Sequence, residues 1–114
     1  MLGSPTAIAY LRSDISGARQ SWDETNNRST AKRLGYDLAK TVVFTQHTDD
    51  PIQRLINVAR RLGADAVVVP SLAHFGGQIP AQLVAVADVI TVEPHQTYAR
   101  WVIPPDAPAE MRSR

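Results

Sequence analysis

The sequence predicts an α/β fold, with a mostly parallel sheet of four to five strands and helices on both faces, in three layers. Three observations carry this. Short apolar runs alternate with stretches of helical character, the pattern of parallel strands joined by helical crossovers. The run AVVV at Ala66–Val69 is apolar on both faces, as a central parallel strand must be. Two segments, AKRLGYDLAKTVVF and ARRLGADAVVV, share one order: helix, Leu-Gly, polar step, strand. This is an αβ unit used twice, with too few copies for a solenoid.

Each element follows in turn. Ala7–Leu11 is apolar without helical period and reads as a buried first strand. Ala18–Leu34 is helix-compatible, with Trp22, Ala31 and Leu34 expected to point inward. Asn26, Asn27, Ser29 and Thr30 are weak helix formers, so irregularity is expected in its early part. Gly35 is placed to end it in the left-handed region. Leu38–Phe44 is the second strand. The next helix has Asp49 or Asp50 as its cap and Pro51 at the first position. Ile52, Leu55, Ile56, Ala59 and Leu62 recur at helical spacing, Arg54, Arg60 and Arg61 lie off that stripe, and Gly63 ends the helix. Ala66–Val69 is the third strand, Ile79–Ala87 a short third helix and Val89–Val92 a fourth strand. Tyr98–Ile103 is expected to add an edge strand or to pack as an extended segment. The domain is drawn over residues 1–103 and a flexible Pro-rich tail over 104–114. The expected strand order is β2-β1-β3-β4, which puts the first and third strands side by side and their C-terminal loops at a topological switch point.

At 114 residues the chain has room for one domain with a real core. It has 12 Lys and Arg against 11 Asp and Glu, so it is not a strongly basic nucleic-acid binder as a whole. The cations are nonetheless uneven, with none between Leu62 and Ala99. The absence of cysteine excludes disulfides and thiolate metal sites and fits a cytoplasmic location. No signal-peptide pattern is expected, and no apolar run approaches the roughly 20 residues of a membrane span.

The loops at the strand ends supply the candidate chemistry. The first offers Arg12, Ser13, Asp14 and Ser16, the third Ser71 and His74. The second adds Thr45, His47, Thr48 and Asp49, and the fourth Glu93 and His95. A hydrolase would use Ser13 or Ser71 as nucleophile, His74 as base and Asp14 as orienter. No nucleophile-elbow Gly-x-Ser-x-Gly, GxGxxG or P-loop lysine is present. His47, His74, His95 and Asp49 lack the short-range pairing of a metal site, so no metal and no cofactor are expected. Gly76-Gly77 offers a turn or an anion site at a helix N-terminus. Arg12, at the end of a buried strand, needs either a partner or an anionic ligand. In GGQIPAQLVAVADVI only Gln78 and Gln82 are polar before Asp88, so Ile79, Leu83, Val84 and Val86 are candidates for a subunit interface.

These residues resemble the catalytic domain of the serine recombinases, the resolvase/invertase family, over about Thr6–Val92. The family's opening strand with Tyr-x-Arg-x-Ser is matched by Tyr10-Leu11-Arg12-Ser13-Asp14. Its helix beginning near Arg-Pro is matched by Asp50-Pro51 followed by IQRLI. Its Ser/Arg-Leu-Asp-Arg-Leu-Gly-Arg motif is matched by Ser71-Leu72-Ala73-His74-Phe75-Gly76-Gly77. The resemblance implies a resolvase-like fold, and in the family a serine attacks a DNA phosphate while arginines stabilise the transition state. Here Asp14 stands at the nucleophile position, Asp50, His74 and Gly77 stand where the family has arginines, and Ala73 replaces an aspartate. Ser13 is one residue early, Ser16 two late. Tyr10 and Arg12 persist.

The resemblance therefore implies a vestigial site (Tyr10, Arg12, Ser13, Asp14, Ser71, His74) and no recombinase activity. The family's long dimerisation helix and helix-turn-helix reader are not expected beyond Pro104-Pro105. The expected role is a non-catalytic interaction or regulatory protein, self-associating as a dimer, with a protein partner possible and no membrane. Replacing Leu83 with Glu is then expected to weaken self-association. The alternative is a residual, weak DNA-binding module using Arg12, Arg19, Arg28, Lys32 and Arg33, with salt-sensitive affinity. A phosphoester or small-molecule hydrolase using Arg12, Ser13 and His74 is the third reading.

Overall fold

The computed structural model describes residues 3–100. The elements run β1 (Thr6–Arg12), α1 (Ser13–Ser16), a 3-10 turn (Gly17–Arg19), α2 (Gln20–Arg33), β2 (Asp37–Phe44), α3 (Pro51–Leu62) and β3 (Ala66–Val69). A second 3-10 turn (Leu72–Phe75), α4 (Ala81–Val84), β4 (Asp88–Thr91) and β5 (Gln96–Tyr98) complete them. The five strands form one sheet in the order β2-β1-β3-β4-β5, parallel except for the antiparallel β5 at the edge. This agrees with the expected order. The edge strand is Gln96–Tyr98 rather than Tyr98–Ile103; residues 101–114, the expected tail included, lie outside the described residues.

Alternation along the strands sorts the core into two clusters. Ile8, Tyr10, Val67, Val69 and Val89 join Leu55, Ile56 and Ala59 of α3 and Leu83 and Val84 of α4. Ala7, Ala66, Val68 and Ile90 join Ala31 of α2. β3 contributes to both, which is why its four residues are all apolar and all buried.

Helix α3 buries Leu55, Ile56 and Ala59 and begins with Pro51, as its spacing indicates. Its cap differs from expectation. Asp50 adopts a left-handed backbone at φ 46° and neither aspartate caps through its side chain; the Asp50 carbonyl accepts from the Arg54 amide, and the Asp49 carbonyl accepts from Arg54 Nε at 2.6 Å. Gly35 ends α2 as expected, at φ 89°, with the Tyr36 amide closing back onto the Ala31 carbonyl.

Two expectations are corrected. The inward face of α2 is Asn27, Thr30 and Ala31, not Trp22 or Leu34, which are 59% and 40% exposed. Trp22 lies roughly 140° around the helix from Asn27, and Leu34 follows the last helical residue. The expected irregularity falls at the start of this stretch, where Gly17–Arg19 is a 3-10 turn; the helix is continuous through Asn26 and Asn27, because packing on the sheet overrides their weak propensity. The third helix is a single turn, Ala81–Val84, rather than Ile79–Ala87. Pro80 precedes it and a turn follows. Leu83 and Val84 are fully buried in the core, and Ile79 and Val86 pack against the same cluster. Of the proposed interface residues, Leu83 and Val84 are therefore core residues, and Ile79 and Val86 are half-buried beside them.

Candidate functional site

The site forms where strand pairing stops. β1 pairs with β2 along its whole length, but with β3 only through Ala7–Ala9. Beyond Ala9 the strands part, and the β1 backbone on that side needs other partners. Side chains supply them. Asn27 Nδ2 donates to the Tyr10 carbonyl at 3.1 Å, and the Arg12 amide donates to His74 Nδ1 at 3.0 Å. Tyr10 closes the arrangement from below, its hydroxyl donating to the His74 carbonyl at 3.2 Å. Its ring stacks on Phe75 at 5.4 Å and meets Phe44 edge-on at 5.5 Å. Burial pushes the Tyr10 pKa up to about 12, so the phenol stays protonated and acts as a donor.

The bond to His74 decides what the imidazole can do. A backbone amide can only donate, so Nδ1 is the acceptor and the ring proton sits on Nε2. His74 is 3% exposed, and its Nε2 makes no hydrogen bond to protein among the described residues. The ring borders an open cleft of about 390 Å³. In this state it presents a donor to the cleft and has no free lone pair for general-base work.

Arg12 and Asp14 make the only ion pair among the described residues. It is bidentate, with Nε to Oδ1 at 3.1 Å and Nη2 to Oδ2 at 2.6 Å. The pair raises the Arg12 pKa and holds Asp14 below its usual range through these hydrogen bonds. Asp14 thus serves Arg12 and does not orient His74. The serine-histidine-aspartate arrangement is not assembled. Ser13 is absent from the cleft lining, whereas Ser71 and Ser16 belong to it. The Ser16 hydroxyl donates to Asp23 Oδ2 at 2.6 Å.

The remaining candidates separate. Arg19 borders the cleft. Arg28 and Lys32 lie one turn apart on the exposed side of α2, followed by Arg33. None of the four has an ion-pair partner among the described residues. The amides of Gly76 and Gly77 bond to the carbonyls of Ala73 and Leu72, and both glycines have positive φ, 83° and 96°. They make a turn that keeps its own donors occupied, not an anion site. Among the described residues no group of three or more His, Asp or Glu converges as a metal site requires, and no helix is long and apolar enough to cross a membrane.

Sequence reasoning missed Asp23 and Trp22 as cleft residues and Asn27 as the buried partner of the Tyr10 carbonyl. Asn27 is fully buried, with Oδ1 unpartnered, and it shares the i, i+3, i+4 face with Thr30 and Ala31. That spacing is the one available signal. Trp22 and Ile15 line the cleft and are the two most exposed large apolar side chains among the described residues, at 59% and 42%.

Burial lowers the His74 pKa from 6.5, opposed by Asp23 and Asp14 and assisted by Arg12. The unfolded chain then binds more protons than the native one below about pH 6.5. Stability is full above that value and is expected to fall on acidification until the native pKa is passed. Asp14, depressed from 3.8, loses its contribution at lower pH. Thermal unfolding between pH 7.5 and 5 checks this: the loss is expected in the native protein and is expected to be reduced in His74→Gln.

No protein-family model matches the chain, and no curated protein matches it.

Proposed function

We propose that this chain is a non-catalytic serine-recombinase-like domain, three-layered and resolvase-like, that acts as a small interaction or regulatory protein. The observation that carries the reading is the Arg12–Asp14 pair. Where the resemblance calls for a serine nucleophile beside a free cation, a carboxylate instead occupies both Nε and Nη2 of the arginine. A phosphate approaching Arg12 would meet that carboxylate, and charge stabilisation of a phosphoryl transition state needs preorganised cations that are not already neutralised. His74, in its Nε2–H form, supplies no base. The contacts in this reading are made by the strand-end face that carries Ile15 and Trp22.

Covalent attack on DNA tests the reading. After incubation with supercoiled plasmid and duplex oligonucleotides, denaturing electrophoresis is expected to show no protein–DNA adduct and no nicking. An adduct mapped to Ser13 or Ser16 would contradict it. The unpaired, exposed cations Arg28, Lys32 and Arg33 favour residual DNA binding as the second reading. That module would bind duplex with steep salt dependence and weaken on replacement of Arg28 and Lys32 by Ala.

A further inference from the structure

We propose that the cleft at the ends of β1, β3 and β4 is a binding site for a nucleoside-sized planar heterocycle, with its ring on Trp22 and an acceptor atom facing His74 Nε2–H. The inference rests on the reading of this face as a non-catalytic binding surface.

The size is suitable: about 390 Å³ lies within the range of small-molecule sites. The position is that of ligand crevices in open parallel sheets, at the point where β1 and β3 diverge. His74 is the independent pointer to a ligand. It is only 3% exposed, its Nδ1 is held by the Arg12 amide, and its remaining N–H borders the cleft without a protein partner among the described residues. A fixed donor facing an open cleft is positioned in advance for an acceptor on a heterocycle edge, which would replace the water there.

The charges at the rim select among ligands. Asp23 and Glu93 line the cleft with a single cation, Arg19. Two carboxylates against one guanidinium disfavour free phosphate and polyphosphates. Carboxylates suit hydroxyl donors instead, as when an acidic side chain accepts from a ribose diol. Asp23 has already used Oδ2 on Ser16, which leaves Oδ1. Trp22, 59% exposed at the rim, offers an aromatic platform with no neighbour to cover it. Planar ring, acceptor edge and hydroxyls together describe a nucleoside without phosphates.

The test is an NMR titration of the full chain with adenosine, guanosine, cytidine and uridine, each added separately, with ribose and inorganic phosphate as comparisons. At least one nucleoside is expected to give saturable shifts grouped on the Trp22 indole and the amides of Ser71, His74 and Glu93, while ribose and phosphate give none. Trp22→Ala, on an exposed helical position, is expected to fold normally and weaken binding at least roughly fivefold. No saturable shift from any nucleoside would overturn the proposal, as would shifts remote from the cleft or undiminished binding in Trp22→Ala. Response to phosphate alone, or to a single-stranded oligonucleotide where nucleosides give none, would also overturn it. A covalent DNA adduct is invisible to this titration and bears only on the non-catalytic reading, so the two failures are told apart.

Discussion

Leu83→Glu is expected to unfold the protein. Leu83 is fully buried between α3 and the sheet, in the cluster that includes Leu55, Val67, Val84 and Val89. Truncating such a leucine to alanine costs about 2–5 kcal/mol. Glutamate loses the same packing and adds an unpaired charge in an apolar site, and no cation lies on the neighbouring apolar positions. Domains of this size have about 5–15 kcal/mol in all. The variant is therefore expected to lose its cooperative thermal transition by circular dichroism. Leu83→Ala is expected to remain folded, with a lower Tm and an oligomeric mass equal to that of the native chain. A folded Leu83→Glu protein of reduced oligomeric mass would restore α4 as an interface and contradict the packing.

The second large effect is expected at Tyr10. Its ring is clamped between Phe44 and Phe75, and its hydroxyl holds the His74 carbonyl. Tyr10→Ala is expected to cost about 3–5 kcal/mol, as for other buried aromatic truncations. Tyr10→Phe keeps the ring and loses one hydrogen bond, for about 0.5–1.5 kcal/mol. The two separate packing from anchoring. Chemical denaturation gives both values, and the His74 amide shift reports whether the loop has moved. Equal losses in both variants would mean that the hydroxyl, not the ring, holds the loop.

β1 and β3 are legible in the sequence because burial on both faces leaves little choice of residue: AVVV reads as a central strand in any α/β frame, and its bounds agree with the structure. α3 is legible for a related reason, since an apolar stripe flanked by arginines admits one orientation. α2 is not. Its inward face contains Asn27 and Thr30, so the usual apolar cue points to Trp22 and Leu34, which face solvent. Asn27 is inward because the Tyr10 carbonyl has lost its strand partner there, and a sequence does not display where pairing between two distant strands ends. α4 misleads in the opposite direction. Its composition reads as apolar all round, but Pro80 and the turn after Val84 confine it to one turn whose large apolar side chains, Leu83 and Val84, are buried in the core.

At the site, residue identities are legible and their pairings are not. Arg12 reads as needing a partner or a ligand, and Asp14, two residues on, is that partner. His74 stands at the strand end as a candidate base. The structure spends its lone pair on the Arg12 amide, a contact between residues 62 positions apart that no local pattern encodes.

In the proposed reading, the recombinase-like site is dismantled at several points rather than at one. The most direct measurement restores one point and asks for chemistry. Asp14→Ser places a hydroxyl at the nucleophile position and frees Arg12, but leaves Asp50, Ala73, His74 and Gly77 unchanged. The account predicts that this variant, incubated with supercoiled plasmid, gives no covalent protein–DNA adduct on a denaturing gel. An adduct attached through the introduced hydroxyl would show that a single substitution separates this chain from catalysis, and would contradict the account.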